Sequence, residues 1–188
     1  MELLDIVDAN DTVVDKRAMD DIYADGGPEA LQLKGQTIRS IYLILRNQAG
    51  QLAIPRRAYH KKKFPGGLDF TACGHVSSGE SYEEAFFRET IEEWSINPGD
   101  YPIKVLGKLS PFEYPVLHSM SMGYEIILDE LPALNPSEWH ELLWLSPAEL
   151  LDRLPTEPNS KGDLGWIVRH FYHKPTSTEV INAFHVRN

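Results

Sequence analysis

Cysteine is nearly absent from this sequence, because Cys73 is the only one among 188 residues. A single thiol cannot form an intrachain disulfide, so the composition gives no sign of an oxidising compartment, and we expect a cytoplasmic location. Long apolar runs are missing too. No stretch approaches the roughly 20 apolar residues of a membrane span, and the acidic start MELLDIVDANDTVVDKR does not resemble a secretory signal. We therefore expect no association with a membrane.

Positive charge is also scarce: 18 Lys and Arg residues stand against 28 Asp and Glu residues, for a net charge of -10. This balance argues against non-specific binding of polymeric nucleic acid. It allows a small phosphorylated ligand, because a local basic cluster or a metal ion can outweigh the global charge. The length suits one domain spanning 1–188, and the sequence is compatible with a homodimer.

The order of predicted elements indicates an α+β domain with a mixed sheet. Two β-prone runs flank Asn10-Asp11 and predict a hairpin, and the residues up to 36 predict a short helix and a loop. Strands are predicted at 37–47 and 51–58. Later strands are predicted in LDFTACGHV, IKVLGKLSPFEY, HSMSMGYEIIL and the start of LLWLSPAELLDRL, and helices in GESYEEAFFRETIEEWS, SPAELLDRL, GDLGWIVRHFYHK and the last residues.

The segment GESYEEAFFRETIEEWS, residues 79–95, predicts a helix with an unusual number of carboxylates. Ser81 and Glu84 have the capping-box spacing, so the helix should begin there. At about 100° per residue, one apolar stripe forms and is expected to face the core, with a group of glutamates on the opposite side. The predicted stripe contains Phe87, Ile91 and Trp94, and the glutamates are Glu89, Glu92 and Glu93.

Like charges one helical turn apart repel each other. The acidic face is therefore either solvated, as most such faces are, or it surrounds a cation. Mg²⁺ and Mn²⁺ prefer carboxylate oxygens of this kind.

The residues around this helix resemble the Nudix box, G-x5-E-x7-R-E-U-x-E-E-x-G-U, where U is a bulky aliphatic residue. The match lies in GHVSSGESYEEAFFRETIEEWSI, residues 74–96. Two positions depart from the pattern, Thr90 at an aliphatic position and Ser95 at the second glycine. We expect Thr90 at the border of the apolar stripe and a slightly altered helix end at Ser95. The matching positions are Gly74, Glu80, Arg88, Glu89, Glu92 and Glu93.

The resemblance implies a Nudix-like α/β/α sandwich with a mixed central sheet. Its core would cover about 37–153, with residues 1–36 as an extension and C-terminal helices at about 147–188. It further implies an enzyme that cleaves a diphosphate bond, in a nucleoside diphosphate or a derivative of one, with a divalent metal.

By the same resemblance, Glu89 and Glu93 would be the main metal ligands, with Glu92 and the carbonyl of Gly74 completing the sphere. Arg88 would hold Glu89 in place. Glu80 would support that arrangement without binding the metal directly.

The general base is open among four glutamates, because family members place it differently. Glu89 is one candidate, and the others are Glu113 in SPFEYP and Glu138 and Glu141 in NPSEWHELLWL.

A basic loop before the box is the predicted contact for the diphosphate. Within it we predict substrate contacts from Arg56, Arg57, Lys61 and Lys63. Phe112 is a candidate for stacking on a base, as are Tyr114 and Trp139.

Two other functions fit parts of the sequence. Cys73, Gly74 and His75 also resemble the Cys-Gly-His motif of isopentenyl-diphosphate isomerases, in which Cys73 would handle a proton at carbon. Against this, no histidine occurs in residues 1–58 and no Glu-x-Glu pair occurs in LHSMSMGYEII, although the isomerases need both for their metal. The second alternative is a Nudix-fold module that binds a nucleotide without cleaving it. The intact set of box glutamates argues against it.

Overall fold

The computed structural model describes residues 2–172. It contains eight strands, five α-helices and two short 3₁₀ helices at Pro98–Asp100 and Leu154–Thr156. The strands are β1 (Leu3–Asp8), β2 (Val13–Ala18), β3 (Gln36–Arg46), β4 (Leu52–Arg57), β5 (Ala72–His75), β6 (Ile103–Leu109), β7 (Met120–Ile127) and β8 (Trp139–Leu145). The helices are α1 (Met19–Ala24), α2 (Gly27–Gln32), α3 (Tyr82–Trp94), α4 (Pro147–Arg153) and α5 (Leu164–Tyr172).

The long strand β3 connects most of the sheet. It pairs antiparallel with β1, β4 and β5 and parallel with β7, which makes the sheet mixed, as predicted. The remaining pairs are β1 with β2, β4 with β8 and β6 with β7, all antiparallel. The predicted hairpin around Asn10-Asp11 is confirmed as β1 and β2. The predicted final helix lies outside the described residues.

The two faces of β3 are buried in different hydrophobic clusters. Ile41, Leu43 and Leu45 belong to a cluster that contains residues of α3, whereas Tyr42 and Ile44 belong to one that contains residues of α4 and α5. Successive side chains of a strand point to opposite faces, so β3 separates two layers of helices. This arrangement is the predicted α/β/α sandwich, an α+β fold.

The N-terminal segment has its own small core against the edge of the sheet. Ile22 of α1 and Leu31 of α2 pack with Leu4, Ile6 and Ile38, all of them buried. This packing fixes α1 and α2 beside the end of β3.

Two helices begin as the sequence predicts. Ser81 accepts a hydrogen bond from the backbone N–H of Glu84 at 3.2 Å, and the Glu84 carboxylate accepts one from the N–H of Ser81 at 2.8 Å. Ser146 and Glu149 form the same reciprocal pair before α4. These boxes satisfy backbone donors at each helix start and so fix where the helices begin.

The predicted core stripe of α3 is confirmed at Trp94 but is wrong at Ile91. Ile91 is 47% exposed and Phe87 is only partly buried, whereas Phe86 and Thr90 are fully buried with Trp94. The helix is turned so that its glutamate side also approaches the sheet. Thr90 is tolerated there because its hydroxyl donates to the Phe86 carbonyl at 2.7 Å.

The C-terminal end of α3 keeps the left-handed conformation that the family's glycine would favour. Ser95 has φ 55° and ψ 27° and ends the helix as its C-cap. A non-glycine residue adopts this region at some cost, and here its N–H still donates to Ile91 O. The expected alteration of the helix end is therefore not seen in the backbone.

We expect Phe86→Ala to lower the free energy of unfolding by about 3 to 5 kcal/mol, the usual cost of emptying a buried aromatic site. Phe86 is fully buried and stacks on Tyr124 with ring centroids 4.2 Å apart. Urea unfolding would measure the change. Ile91→Ala, on the exposed side of the same helix, should cost less than about 1 kcal/mol. Equal costs for the two variants would contradict this orientation of α3.

Candidate active site

The site is built where α3 crosses β5. Gly74 of β5 lies so close to Glu89 of α3 that a Cβ on Gly74 would stand 1.9 Å from Glu89 Oε1 and 2.1 Å from its Cδ. Any side chain at this position would displace the carboxylate. Glycine is required here because of this close approach and not because of its backbone angles.

Arg88 holds the carboxylates beside this contact. Its guanidinium donates from Nε and Nη2 to the two oxygens of Glu80, both at 2.9 Å, and from Nη1 to Glu89 Oε1 at 2.7 Å. Nη2 also donates to the backbone carbonyl of His75 at 3.0 Å. The structure thus brings Arg88, Glu89 and Glu80 together, and the planar fork of arginine fixes the orientation of Glu89.

Glu93 is the most deeply buried of the box carboxylates. Its Oε2 is buried without a hydrogen-bond partner among the described residues. Burial raises its pKa well above the usual range, and the nearby charges of Asp69, Glu89 and Glu138 raise it further. Burial likewise raises the pKa of Glu89, partly offset by Arg88. Glu93 thus lacks a partner for its buried oxygen among the described residues, and Glu89 shares the single charge of Arg88 with Glu80, so this group of carboxylates favours a cation beside it.

Glu92 stands apart from this pair. Its side chain is 60% exposed, and Arg88 Nη1 lies 3.6 Å from its Oε2. Within residues 2–172, no group of three or more His, Cys, Asp or Glu side chains is arranged as a complete metal cluster. Glu89 and Glu93, with backbone oxygen at Gly74, are the residues that fit a hard cation, and Glu92 would have to turn inward to join them.

A pocket of about 610 Å³ opens beside Gly74 and Glu89. Its size is typical of a site for a small molecule. One wall comes from the N-terminal segment and another from the basic loop after β4, while the far end reaches the loop before α5. Its lining includes Glu2, Tyr23, Glu29, Ser40, Tyr42, Arg57, Lys63, Asp69, Phe70, Cys73, Gly74, His75, Glu89, His118, Ser119, Ser121, Lys161 and Asp163.

Two of the predicted substrate contacts lie in this pocket. Arg57 donates from Nη1 to Asp69 Oδ2 at 2.8 Å, and the Lys63 ammonium lies 3.4 Å from the centroid of the Tyr23 ring. Lys61 instead pairs with Glu138 at 2.5 Å, and neither Lys61 nor Phe112 contributes to the lining just given. Only Arg57 and Lys63 thus retain the predicted position.

The location of Arg56 does not fit the predicted substrate contact. Arg56 is 8% exposed, and its guanidinium donates to Glu141 at 2.6 Å, Glu157 at 2.7 Å and the Gly66 carbonyl at 2.8 Å. These bonds leave the guanidinium turned into the protein and away from the pocket. Arg56 joins β4, β8 and the segment after α4.

The other aromatic candidates for base stacking belong to packed clusters. Trp139 is 2% exposed and stacks on Trp94 with centroids 5.7 Å apart. Tyr114 lies against Trp166 and His170 of α5. Neither ring lines the pocket.

The four candidates for the general base are separated by the structure. Glu89 lines the pocket, whereas Glu113 is exposed, Glu138 pairs with Lys61 and Glu141 pairs with Arg56. Glu89 is therefore the candidate whose carboxylate reaches a ligand in the pocket.

Sequence reasoning missed several residues of the pocket. Tyr23 comes from α1, Asp69 from the loop before β5, and Lys161 from the loop before α5. None stands in a pattern that marks it, and each is brought in by contacts between segments far apart in the chain. Tyr23 donates or accepts a hydrogen bond with His75 Nε2 at 3.2 Å, from 52 positions away.

The comparisons with known proteins agree with this geometry. The model of the NUDIX domain matches residues 36–164. An uncharacterized Nudix hydrolase of Nostoc is 37% identical over 172 residues, covering 92% of this chain and 96% of its own. The crystal structure of a protein from Deinococcus radiodurans superposes with a TM-score of 0.79 at 36% identity, covering 91% of this chain and 99% of that one.

An isopentenyl-diphosphate isomerase of Corynebacterium diphtheriae is more distantly similar. It is 29% identical over 147 residues, covering 74% of this chain and 79% of its own.

These matches, with the arginine and all the glutamates of the box present, show that the chain belongs to the Nudix family and is a Nudix hydrolase. Members of this family act on small molecules and generally use divalent metal cations. Among the helices described, none combines the length and apolar character needed to cross a membrane.

We expect Gly74→Ala to reduce kcat/KM at least tenfold while changing the free energy of unfolding by less than about 1 kcal/mol. The new methyl group would push aside the Glu89 carboxylate that Arg88 holds, and a displacement of this kind impairs catalysis far more than folding. Kinetics and urea unfolding would test this. Gly99→Ala is the control, because its Cβ would meet other atoms only at 3.4 Å or more. Unchanged kinetics in Gly74→Ala would contradict the assignment.

The Arg56 network predicts a pH dependence of stability. Hydrogen bonding to Arg56 lowers the pKa of Glu157 from 4.5 to about 2. A folded-state pKa below the unfolded value gives stability that is complete above about pH 5 and is lost as the pH falls toward 2. We expect Glu157→Gln to destabilise the protein by on the order of 1 kcal/mol at pH 7. The difference from wild type should shrink between pH 5 and pH 2.5 in urea unfolding, and a constant difference would refute the role of this pair.

Proposed function

We propose that this Nudix hydrolase cleaves the diphosphate bond of a nucleoside diphosphate, or of a nucleoside diphosphate derivative, with Mg²⁺ or Mn²⁺ as cofactor. The observation that supports the metal part of the proposal is the buried Oε2 of Glu93, which has no hydrogen-bond partner among the described residues, beside the carboxylate of Glu89. A buried carboxylate without a partner is unfavourable unless a cation compensates it. Oxygen donors of this kind suit a hard divalent ion.

In this proposal Glu89 and Glu93 hold the metal, with Glu92 and the carbonyl of Gly74 as further ligands. When bound, the metal would neutralise charge that develops on phosphate oxygens and would acidify a water molecule. Arg88 keeps the Glu89 carboxylate facing Gly74, and Glu80 keeps Arg88 in place through two hydrogen bonds. Glu89 is also our candidate for the general base, because it lines the pocket.

The pocket supports a phosphorylated small molecule as the substrate. Arg57 and Lys63 supply positive charge within it, and the buried rings of Tyr42 and Phe70, with centroids 5.1 Å apart, form part of its wall. Three hydroxyl groups add polar contacts, since Ser40 lies 2.6 Å from Ser119 and 2.8 Å from Ser121. A nucleotide offers matching groups: charged phosphates, a hydroxylated sugar and a flat base. The cytoplasmic location and the homodimer stay predictions of the sequence.

A second candidate is an isomerase reaction on isopentenyl diphosphate. It is favoured by the position of Cys73, whose side chain lines the same pocket. Against it, the single glutamate of β7, Glu125, is 2% exposed and pairs with Arg46 at 3.2 Å, so it does not supply the metal ligand that an isomerase needs from this strand.

The test is hydrolysis over a panel of nucleoside diphosphates, nucleoside triphosphates, nucleotide sugars and isopentenyl diphosphate, with Mg²⁺ or with a chelator. We expect wild type to release phosphate or a nucleoside monophosphate only with metal. Glu89→Gln should lose at least about a hundredfold in kcat/KM, because the neutral amide keeps the shape but loses the charge that binds the metal. Glu83→Gln, an exposed glutamate on the first turn of α3, is the control and should keep full activity.

Metal-independent hydrolysis, or full activity in Glu89→Gln, would refute this mechanism. Conversion of isopentenyl diphosphate to its isomer without hydrolysis, abolished by Cys73→Ala, would establish the second candidate instead.

A further inference from the structure

The loop before α5 places a lysine inside the pocket. Ser160 Oγ accepts a hydrogen bond from the N–H of Leu68 at 3.1 Å, and the N–H of Lys161 donates to the Leu68 carbonyl at 2.9 Å. These bonds fasten the loop to the residues before β5. The Lys161 side chain, 26% exposed, therefore extends into the pocket from a fixed backbone.

Lys161 and Arg57 both lie against the carboxylate of Asp69. The Lys161 Nζ lies 2.7 Å from Cys73 Sγ and 3.7 Å from Asp69 Oδ1. Asp69, which is 1% exposed, also accepts a hydrogen bond from Arg57 at 2.8 Å. One carboxylate thus offsets two positive charges.

Lys63 adds a third positive charge that no carboxylate of the described residues pairs within 4 Å. It rests on the Tyr23 ring, and its pKa is lowered by burial first and then by repulsion from Lys161 and Arg57. Glu29 and Asp163 also line the pocket. Three cationic side chains, Arg57, Lys63 and Lys161, nevertheless converge on one pocket, and the ammonium of Lys63 forms no ion pair with a described carboxylate, which favours an anion there.

The cationic group lies on the other face of the sheet from the box carboxylates. Cys73 and Phe70, which contact or adjoin Lys161, pack in the cluster that contains residues of α5, whereas α3 packs on the opposite face. The pocket joins the two faces past the short strand β5. Glu89 and Lys161 both line this pocket, so one ligand can meet both side chains.

We propose that Lys161, Lys63 and Arg57 form an anion subsite that binds a phosphate group of the substrate, separate from the metal-binding carboxylates. The inference rests on the proposed function for the identity of the ligand, a phosphorylated small molecule. Lys161 is the new element, because the resemblance to the family assigns it no role. The two lysines supply point charges and Arg57 supplies a planar donor, a combination suited to a phosphate oxyanion.

Binding of inorganic pyrophosphate, measured by calorimetry in a chelator without metal, tests the subsite. We expect Lys161→Met to weaken binding about tenfold or more, because it removes a charge-assisted hydrogen bond. Lys161→Arg, which keeps the charge, should stay within about threefold of wild type. Lys104→Met is the control for loss of one positive charge. Lys104 lies on β6 outside the pocket, and its side chain is 66% exposed. Its removal should change binding less than twofold.

Two further variants separate the subsite from the metal centre and from folding. Glu89→Gln should bind pyrophosphate at least as tightly as wild type in the chelator, because it removes a negative charge from the pocket. Lys63→Met should weaken binding severalfold. It breaks no ion pair of the described residues, so it remains informative even where Lys161→Met fails to fold.

The outcomes are distinct from those of the hydrolysis test. Pyrophosphate binding that is equal in wild type, Lys161→Met and Lys63→Met, or that disappears in Glu89→Gln, would overturn the subsite even in an active hydrolase. In kinetics, Lys161→Met should raise KM about tenfold with kcat within threefold. An enzyme that shows the expected binding pattern but no hydrolysis of any diphosphate would refute the proposed function and leave the subsite intact.

Discussion

The contact between Glu89 and Gly74 is the constraint on which the site depends. It brings a carboxylate of α3 against the backbone of β5, where no Cβ could stand. A carboxylate held this close to the backbone without a positive partner would be unfavourable. Arg88 supplies that partner, since it donates hydrogen bonds to Glu89, to Glu80 and to the His75 carbonyl. The helix is thereby fixed both in rotation and in its distance from the strand.

This constraint explains the unusual buried face of α3. Because Glu89 must face β5, the helix turns its glutamate side partly toward the sheet, and Glu93, one turn further on, becomes buried. Phe86 and Trp94 then supply the apolar contacts, with Thr90 between them. A helix that buried Phe87, Ile91 and Trp94 would have a more uniform apolar face but would direct its carboxylates into solvent. The site and the hydrophobic core favour different rotations of α3, and the rotation seen is the one that places Glu89 against β5.

The sequence predicted those features that depend on neighbouring residues. The capping box at Ser81, the helix start at Ser146, the hairpin around Asn10-Asp11 and the Nudix box itself are all local, and all are present. The rotation of α3 was not predicted because it is set by a contact with another element. Arg56 was predicted in the site because it lies in a basic run, but its partners are 85 and 101 positions away, which no spacing rule indicates.

The position of Lys161 was beyond sequence reasoning for the same reason, since it is 88 positions from Cys73. The Nudix box ends at residue 96, and the segment NSKGDLGW around Lys161 carries no motif. What identifies it is the loop that hydrogen-bonds to Leu68 and so directs the side chain inward. Residues of this kind are found only when the fold shows which loops close over the same pocket.

The pocket is lined by carboxylates of the box on one side of β5 and by cationic side chains on the other, and these two groups would bind ligands of opposite charge. On the α3 side a buried oxygen of Glu93 has no hydrogen-bond partner among the described residues, whereas on the α5 side Arg57 and Lys161 share Asp69, and Lys63 pairs with no described carboxylate. A metal ion with a phosphate-bearing ligand would relieve both, since the metal supplies the missing positive charge and the phosphate the missing negative charge. The metal ion would strengthen binding of the phosphate ligand, and the ligand that of the metal, because opposite charges attract more strongly in the low dielectric of the pocket. The charges that destabilise the empty pocket are thus those that would make metal and ligand bind together.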